Sequence, residues 1–529
     1  MTLTRLVARQ AAVAPAQDAI IYRDARVSFR ALDRLSRKLA RSFARLGVRA
    51  GDRIAIWLPN VPAWHVCLLA CARLGAVAVA INTRFRSAEL AQILGRSEPR
   101  LMVLWPDFRG IDFVPVLHDC EKQALSSVRA FITYSETPLP VEKCILGRDT
   151  YGFERLLTGP ATDSDAAEPD AGCVIFTTSG TTSAPKLAWH TQRSIAAHAH
   201  DTVRAYGYDA TDAVILVATP MCGTSGFGIA VAALAAGRPQ VVAPVFDEFE
   251  IADLAREHKI THTHATHHII RRLLDAVPEE RPFPSMRLVN CGSGAASMVE
   301  EAAARGMCVI GIYGSTEVQA RFSRQSELLP PLERAVGGGM PISADAIVRA
   351  RCVETGVILP PDADGEIEIR APSQFAGYLA DAELNRRAFT PDGFVRTGDL
   401  GHTLPDGRFV FVSRMGDMLR LSGFLVSPQQ IEHVIEQHPA VRSCQVVGVD
   451  TEAGLRPFAF IQTAAGCPVD EARLLSYCRD KMAPFKCPVA VDFIGEFPVT
   501  HGPNQTKVQK ARLRDMARSI LRARTPGSA

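Results

Sequence analysis

Helical and strand-like patterns alternate through most of the chain. Residues 27–47 place Leu, Ala and Phe at helical intervals with Arg on the opposite face, and Gly47 is a typical helix stop. An apolar run at 53–58, a helical pattern at 64–75 and a second run at 76–82 predict strand, helix and strand. Further runs that predict core strands lie at 173–176, 213–218, 240–244, 287–290 and 308–313. This alternation predicts a layered α/β domain.

The pattern changes twice towards the C-terminus. After Gly337 the segments shorten, GEIEIR alternates as a half-buried strand, and Asp392-Gly393 and Asp406-Gly407 are turn signals. This indicates a β-rich subdomain. Past Arg414 two helical patterns and two strand patterns predict a small α+β domain. We therefore expect a large N-terminal domain (1–413), a hinge (414–417) and a small mobile C-terminal domain (418–529).

Composition narrows the class of protein. The chain has 529 residues, of which 47% are apolar and 22% charged, so disorder, collagen-like repeats and coiled coil are excluded. The net charge of +3 gives no indication of nucleic-acid binding. The thirteen cysteines show no CxxC spacing, the N-terminus lacks the apolar part of a secretory signal, and Arg73 and Gly75 interrupt the most apolar stretch. We expect a cytoplasmic protein without an integral membrane segment.

A hydroxyl-rich loop follows the strand pattern at 173–176. The loop TTSGTTSAPK (177–186) combines close backbone approach, many hydroxyls and one cation, which suits polyphosphate. Its candidate ligands are Thr178, Ser179, Gly180, Thr181, Thr182, Ser183 and Lys186. It is not a Walker A loop, because that motif needs a Gly-Lys dipeptide and this chain contains none. A polar surface loop is the alternative.

Three further segments carry candidate chemistry. GIYGSTE (311–317) ends an apolar run, and Glu317 is a candidate Mg²⁺ ligand, although a turn with a solvated glutamate is the alternative. Asp399 and Arg414 have the groups needed to bracket a ribose, but as an isolated pair they fit a structural salt bridge better. Lys507 lies in a turn-rich stretch, where a lysine is ordinarily solvated.

Taken together and in this order, these segments resemble the adenylate-forming (AMP-binding) superfamily, in its acyl-CoA synthetase or acid–thiol ligase branch. TTSGTTSAPK resembles the phosphate loop, YGSTE the metal and substrate motif, and GYLADAELNRRAFTPDGFVRTGDLG the ribose motif. RMGDMLRLSGFLVSPQQIE resembles the hinge and the start of the small domain. The resemblance covers nearly the whole chain, and four motifs in register are highly specific.

The resemblance implies a role for each matching residue. The loop residues from Thr178 to Lys186 would hold the β- and γ-phosphates of ATP, Thr316 would touch the α-phosphate and Glu317 would bind Mg²⁺. Lys507 would bridge the substrate carboxylate and the α-phosphate, and Gly423 would lie beside the thiol tunnel. The remaining implied ATP or AMP contacts are Gly294, Ala295, Ala296, Tyr313 (stacking on adenine), Gly314, Ser315, and Asp399 with Arg414 on the ribose.

The implied reaction has two steps. A carboxylic acid and ATP give an acyl-adenylate and pyrophosphate, and coenzyme A then takes the acyl group with release of AMP. Two alternatives stay open: an acyl-AMP ligase that loads an acyl carrier protein, and a catalytically silent nucleotide-binding relative. If AMP release and thioester formation depend on free coenzyme A, the enzyme is a coenzyme A ligase and not the carrier-protein ligase. A folded, ATP-binding protein that releases no pyrophosphate would be the silent relative.

The chain departs from the family pattern at two places. Relatives usually carry Asp or Lys where this chain has Gly416, so the hinge is expected to be looser, with adjacent Asp417 as a possible substitute. The terminal motif reads Thr506-Lys507 instead of Gly-Lys, which leaves Lys510 as the other candidate for the catalytic lysine.

The acyl pocket is the least determined part. Gly223 and the small residues after it, Thr224, Ser225 and Gly226, favour a bulky or elongated acid. The resemblance also places Ala265, His267, Gly311 and Val318 near the pocket. A metal site at His262, His264, His267 and His268 is the weaker interpretation, since no Cys or carboxylate accompanies them. No counterpart exists for the aspartate that binds the amine in peptide-synthetase domains, so such a module is disfavoured.

Overall fold

The computed structural model describes residues 1–137, 144–178, 185–292, 296–421, 424–451, 454–464, 467–501 and 506–524. The helices within these ranges are α1 (Leu3–Val13), α2 (Phe29–Arg45), α3 (Pro62–Arg73), α4 (Ser87–Ser97), α5 (Phe113–His118), α6 (Phe153–Leu156), α7 (Gln192–Tyr206), α8 (Thr224–Ala236), α9 (Glu248–Glu257), α10 (His267–Ala276), α11 (Ala296–Ala304), α12 (Pro331–Arg334), α13 (Ala382–Ala388), α14 (Pro428–Glu436), α15 (Glu471–Lys481) and α16 (Lys510–Arg524).

The strands in the first half of the chain are β1 (Asp18–Tyr22), β2 (Ala25–Ser28), β3 (Arg53–Trp57), β4 (Val77–Ala80), β5 (Leu101–Leu104), β6 (Ala130–Thr133), β7 (Cys144–Ile145), β8 (Arg148–Gly152), β9 (Gly172–Thr178), β10 (Lys186–Thr191), β11 (Ile215–Val217), β12 (Gln240–Val242) and β13 (His262–His264). Those in the second half are β14 (Leu288–Cys291), β15 (Val309–Ser315), β16 (Gln319–Arg324), β17 (Gly338–Pro341), β18 (Ile347–Arg351), β19 (Gly365–Arg370), β20 (Gly377–Tyr378), β21 (Val395–Thr403), β22 (Phe409–Arg414), β23 (Leu419–Leu421), β24 (Phe424–Val426), β25 (Val441–Thr451), β26 (Gly454–Thr463), β27 (Val491–Phe493), β28 (Val499–His501) and β29 (Thr506–Val508).

Two large mixed sheets form the N-terminal part. One runs in the order β20-β10-β9-β4-β3-β5-β6-β8-β7, and its strands β9, β4, β3, β5 and β6 are parallel neighbours. These strands are buried almost throughout, which explains why they appear in the sequence as continuous apolar runs. Helix α2 begins where Ser28 Oγ accepts the N–H of Ala31, and it ends before Gly47, whose φ is +83°. The predicted layered α/β architecture is confirmed.

The predicted β-rich subdomain is continuous with the second large sheet. That sheet runs β18-β19-β21-β22-β17-β16-β15-β14-β13-β11-β12-β1-β2. The junction between β17 and β22 depends on Gly338, because a Cβ there would lie 2.3 Å from the carbonyl oxygen of Phe409 and φ is +110°. The antiparallel strands nevertheless have their own core around Phe322, Ile367 and Phe409.

The C-terminal part has a small sheet of its own. Strands β25 and β26 form a long antiparallel hairpin, and β27 adds in parallel to β26. Alternate residues of β25 face two different cores: Cys444 and Val446 pack with residues of α14 and α15, whereas Val447 and Val449 pack with residues of α16. This agrees with a small α+β domain, and the boundary at 414–417 stays a prediction.

Candidate active site

The two ends of the predicted phosphate loop are adjacent in space. Thr178 ends β9, Lys186 begins β10, and the two residues pair directly across the antiparallel ladder. The loop therefore leaves and re-enters the sheet at one edge. Its members Ser179, Gly180, Thr181, Thr182 and Ser183 lie outside the described residues.

Tyr378 connects the loop lysine to the predicted metal ligand. Strand β20 pairs with β10, which brings the Tyr378 ring to 5.4 Å from Lys186 Nζ, a cation–π distance. The Tyr378 hydroxyl donates to Glu317 Oε1 at 2.6 Å. Burial, and then the Glu317 charge, raises the pKa of Tyr378, so the phenol stays a donor. Tyr378 was inside a recognised motif, but its role was not predicted.

A buried histidine fixes the turn that carries Thr316 and Glu317. His190 Nε2 donates to the carbonyl oxygen of Thr316 at 2.8 Å, and its Nδ1 accepts from Gln319 Nε2 at 2.9 Å. Burial lowers the pKa of His190 to about 4, so the ring is neutral and has one donor and one acceptor. Gly314 is required here, since a Cβ would lie 2.2 Å from the carbonyl oxygen of Gln319. Ser315 Oγ accepts the N–H of Glu317 at 3.2 Å.

The predicted ribose pair is formed by neighbouring strands. Asp399 on β21 lies directly opposite Arg414 at the end of β22, and Arg414 Nε is 3.0 Å from Asp399 Oδ1. Asp399 is 2% exposed, and its Oδ2 accepts the Tyr313 hydroxyl at 2.5 Å. Tyr313 itself is 6% exposed and packs edge-on against Phe409. The ring thus links the YGSTE segment to Asp399, while its stacking on adenine stays a prediction.

The other predicted nucleotide contacts are described only in part. Gly294 and Ala295 lie outside the described residues, and Ala296 is the first residue of α11. Gly423 also lies outside them.

The hinge and the candidate lysines lie in or next to the small domain. Gly416 sits in a single 3₁₀ turn, Met415–Asp417, directly after β22, and a Cβ at Gly416 would meet no atom within 4 Å. Lys507 lies on β29 and pairs with Thr500 of β28. Lys510 Nζ instead donates to Glu432 Oε1 at 2.5 Å and to the carbonyl oxygen of Val446 at 3.0 Å, inside the small domain. Lys510 is thus engaged within the small domain, and the choice between the two lysines stays a prediction.

The residues predicted for the acyl pocket lie on several different elements, and their grouping in one pocket stays a prediction. Gly223 caps α8, Ala265 packs in a hydrophobic core, and His267 is an exposed residue that starts α10. Val318 belongs to a different core, and a Cβ at Gly311 would lie 2.3 Å from the carbonyl oxygen of Val336. Side chains at the last two positions therefore point into packed protein. The predicted preference for a bulky or elongated acid is untested by these contacts.

The sequence patterns did not indicate a role for Arg321. This side chain on β16 is fully buried, and its Nη1 donates to the carbonyl oxygen of Ser225 in the first turn of α8 at 3.0 Å. The signal was present in the sequence as a cation inside the short strand run VQARF, four residues after Glu317. In the described part of the chain, no group of three or more His, Cys, Asp or Glu residues is arranged for a metal ion.

These contacts define a class of enzyme. A carboxylate and a lysine that contact the same tyrosine, together with a buried carboxylate that pairs with a half-exposed guanidinium, are suited to bind a nucleoside triphosphate with Mg²⁺. Carboxylate oxygens are among the ligands that Mg²⁺ prefers, so Glu317 fits such an ion. The arrangement is therefore compatible with the nucleotide site that the sequence resemblance implies.

Comparison with known proteins agrees with this class. Residues 7–379 match the model of the AMP-binding enzyme family, and residues 430–502 match the AMP-binding enzyme C-terminal domain. The chain belongs to the AMP-binding enzyme family. It is 29% identical to a sulfoacetate–CoA ligase of Cupriavidus necator, with 97% of each chain covered, and 28% identical to a putative acyl-CoA synthetase, YngI, of Bacillus subtilis, with 97% and 96% covered. Among solved structures, ATP-bound MatB from Rhodopseudomonas palustris is similar with a TM-score of 0.85 at 26% identity, covering 98% of this chain and all of that one.

The predicted reaction class is confirmed by these matches: the protein is an AMP-forming acid–thiol ligase, with ATP, Mg²⁺ and coenzyme A as its cofactors and cosubstrates. The roles of individual residues remain predictions. None of the helices described here is long and apolar enough to cross a bilayer.

Proposed function

We propose that this enzyme activates a small carboxylic acid as its acyl-adenylate and then transfers the acyl group to coenzyme A. The observation that carries the proposal is the continuous chain of contacts from Lys186 through Tyr378 to Glu317, next to the Asp399–Arg414 pair. The names of the sulfoacetate–CoA ligase and of YngI support coenzyme A as the acceptor.

The phosphates and the metal would bind at the edge formed by β9, β10 and the turn after β15. The 178–186 loop would hold the β- and γ-phosphates, and Lys186 would supply a cation there. Glu317, oriented by Tyr378, would hold Mg²⁺, which when bound screens the charge of the phosphates. His190 keeps the Thr316 carbonyl in place, and in this proposal the Thr316 side chain would contact the α-phosphate.

Binding of the ribose would use the two sides of the β21–β22 hairpin. The Asp399 carboxylate would accept hydrogen bonds from ribose hydroxyls, while Tyr313 and Arg414 hold it from the protein side.

The chemical step brings two anions together, since the substrate carboxylate must attack the α-phosphate. Negative charge grows on the α-phosphate during attack, so a cation aimed at it lowers the barrier, and loss of one such group costs about 10²–10³-fold in rate. We assign this role to Lys507. The small domain would then turn about residues 414–417, so that the Gly423 region meets the thiol of coenzyme A.

The proposed location is the cytoplasm, where coenzyme A and ATP are available. All thirteen cysteines lie in described residues and are free thiols, which supports a reducing compartment.

The test is pyrophosphate release from ATP and Mg²⁺ across a panel of carboxylic acids, with and without coenzyme A. We expect acyl-CoA to form only with coenzyme A present. Lys507→Ala should lower the rate of adenylation by about 10²–10³-fold. Lys510→Ala is the matched control: it should lower the stability of the small domain, because Glu432 loses its cation, and leave the folded enzyme active.

Three outcomes would change the proposal. Pyrophosphate release without thioester formation from coenzyme A would favour a carrier-protein acceptor. A folded, ATP-binding protein that releases no pyrophosphate with any acid would favour the silent relative. Loss of adenylation in Lys510→Ala but not in Lys507→Ala would reverse the lysine assignment.

A further inference from the structure

A buried cation without a carboxylate partner lies between β16 and the start of α8. Arg321 is 0% exposed, and its hydrogen bond to the Ser225 carbonyl uses one of its donors. Its Nε and Nη2 atoms have no hydrogen-bond partner among the residues described, and no described carboxylate oxygen lies within ion-pair distance. The guanidinium is therefore charged and uncompensated by this part of the protein.

The side chains that surround Arg321 add donors but no negative charge. Two histidines (His198 and His264) and two tyrosines (Tyr206 and Tyr208) interact electrostatically with the guanidinium. We call these four residues and Arg321 the Arg321 cluster. Within the described structure, both ring nitrogens of His198, Nδ1 of His264 and both phenol oxygens lack hydrogen-bond partners.

The histidines of the cluster do not carry charge at neutral pH. Burial, and secondarily the Arg321 charge, lowers the pKa of His264 to about 3, and the same two causes lower the pKa of His198 well below its usual value. The cluster as a whole is thus a water-poor site with one positive charge and several free hydrogen-bond donors.

Such an arrangement is costly for an empty protein interior. Burial of an ion without its counter-charge costs several kcal/mol, and unpaired buried donors add to this. An anionic ligand offsets both costs, because its oxygens accept the free hydrogen bonds and its charge compensates the guanidinium. A bound anion is therefore the physical reason that accounts for all members of the cluster at once.

The cluster is connected to the reaction centre along β16. Gln319 and Arg321 share one face of that strand, and Gln319 holds His190, which in turn holds the Thr316 carbonyl. Two residues along a strand span about 7 Å, so Arg321 lies one strand period beyond Gln319. If the reacting carboxylate of the acid lies near Thr316, Arg321 is placed to contact the opposite end of that acid.

Glycine at position 228 makes room for the guanidinium. A Cβ at Gly228, one turn into α8, would lie 2.3 Å from Arg321 Nη2 and 3.6 Å from His198 Nε2. This is the segment in which small residues predicted an open acyl pocket. Part of the space that they leave is taken by a cation.

We propose that the acid activated by this enzyme carries a second anionic group, a carboxylate or a sulfonate, and that Arg321 binds this group at the end of the acyl pocket away from the α-phosphate. The inference rests on the proposed function and narrows its substrate class. Arg321 is then the residue that determines specificity for such acids over acids with an apolar end.

The test compares acids that differ only at the far end: glutarate with pentanoate, succinate with butanoate, and sulfoacetate with propanoate. The measured quantity is the ratio of kcat/KM values within each pair, from pyrophosphate release. The wild type should prefer the anionic member by about 10²-fold in at least one pair, and Arg321→Met should remove most of that preference. The pair with the largest ratio identifies the length and the anionic group.

Two further variants guard against misfolding and general damage. Gly228→Ala places a methyl group against the end of the Arg321 side chain, so it should displace the guanidinium and reduce the same ratio. Arg272→Met removes an exposed arginine of α10 that pairs with Glu248, and it should leave the ratio unchanged.

A binding measurement makes the inference independent of catalysis. Glutarate, succinate or sulfoacetate alone should raise the midpoint of thermal unfolding of the wild type but not of Arg321→Met. Without ligand, Arg321→Met should unfold at the same or a higher temperature than the wild type, because it removes an uncompensated buried charge.

The possible failures are distinguishable. The inference would be overturned by an unchanged ratio in both Arg321→Met and Gly228→Ala. It would also be overturned by a wild type that favours the acids with apolar ends and is not stabilised by any dianion. In that second case, pyrophosphate release with the acids that have apolar ends would leave the proposed function standing. Stabilisation of the wild type by a dianion that releases no pyrophosphate would support the anion site and contradict the proposed function.

Discussion

Mutation of Asp399 can distinguish a role in binding the nucleotide from a role in stabilising the fold. It is 2% exposed, and its partners include the Tyr313 hydroxyl at 2.5 Å and Arg414 Nε at 3.0 Å. Asp399→Asn keeps an amide oxygen that accepts from Tyr313. It removes the negative charge and the ion pair with Arg414, and it replaces one accepting carboxylate oxygen by an NH₂ group.

The two consequences have different magnitudes. The Arg414 side chain is 48% exposed, so solvent screens its ion pair, and the loss of stability should be at most about 1 kcal/mol. A hydrogen bond from ribose to a charged acceptor contributes about 1.5–3 kcal/mol, which corresponds to an increase of about 10- to 150-fold in KM for ATP. Asp399→Ala should also leave the buried Tyr313 hydroxyl unpaired, which costs a further 1–3 kcal/mol or so of stability.

The assay is the ATP dependence of pyrophosphate release at a saturating concentration of the acid, with thermal unfolding of each variant measured in parallel. Asp364→Asn is a matched control, because Asp364 is an exposed carboxylate that pairs with His402 on the same strand β21. Should Asp399→Asn be folded and keep a KM for ATP within about twofold of the wild type, Asp399 would not bind the ribose and the pair would be purely structural.

Three other residues give independent predictions. Tyr378→Phe removes the hydrogen bond that orients Glu317, so the Mg²⁺ concentration for half-maximal activity should rise about 10-fold, whereas an unchanged titration would detach Glu317 from the metal. Gly416→Asp should change the free energy of unfolding by less than about 0.5 kcal/mol in urea titrations, because φ there is not positive and the space is open; a larger loss would show that the turn requires glycine. Burial raises the pKa of Glu436 to about 7, so the folded state favours its protonated form, and stability should fall as pH rises from about 4.5 towards 7, by at most about 3 kcal/mol. Glu436→Gln should flatten that part of the stability–pH profile, and a profile identical to the wild type would contradict the assignment.

Local patterns were sufficient for most of the secondary structure. The strand at β9 and the helix at α2 were readable because burial on both faces leaves a continuous apolar run, and burial on one face leaves a helical period. Glu317 was also readable as a candidate, since it follows a strand run, where α/β sheets place their ligands. Arg414 ends a predicted strand, whereas Asp399 was expected on a turn and lies inside β21. The ribose role of that pair came from the resemblance.

Pairings between distant parts of the chain had to be seen in the structure. Nothing local in the sequence places Tyr378 on Glu317 or His190 on the Thr316 carbonyl, because these contacts depend on which strands become neighbours in a sheet. The same holds for the junction of β17 with β22, which joins the β-rich part to the main sheet.

The acyl pocket shows the difference most clearly. From the sequence, the glycines and small residues at 223–226 indicated free space, and Arg321 was one of many arginines in the chain. Only the packing of β16 against α8 places that arginine beside Gly228, away from water and from the carboxylates of the described residues. Residue type and spacing thus predicted the layered α/β fold, and the resemblance of four motifs to a known family predicted the reaction class. The environment of a side chain, and with it the substrate that the pocket selects, depends on tertiary contacts between residues about 100 positions apart.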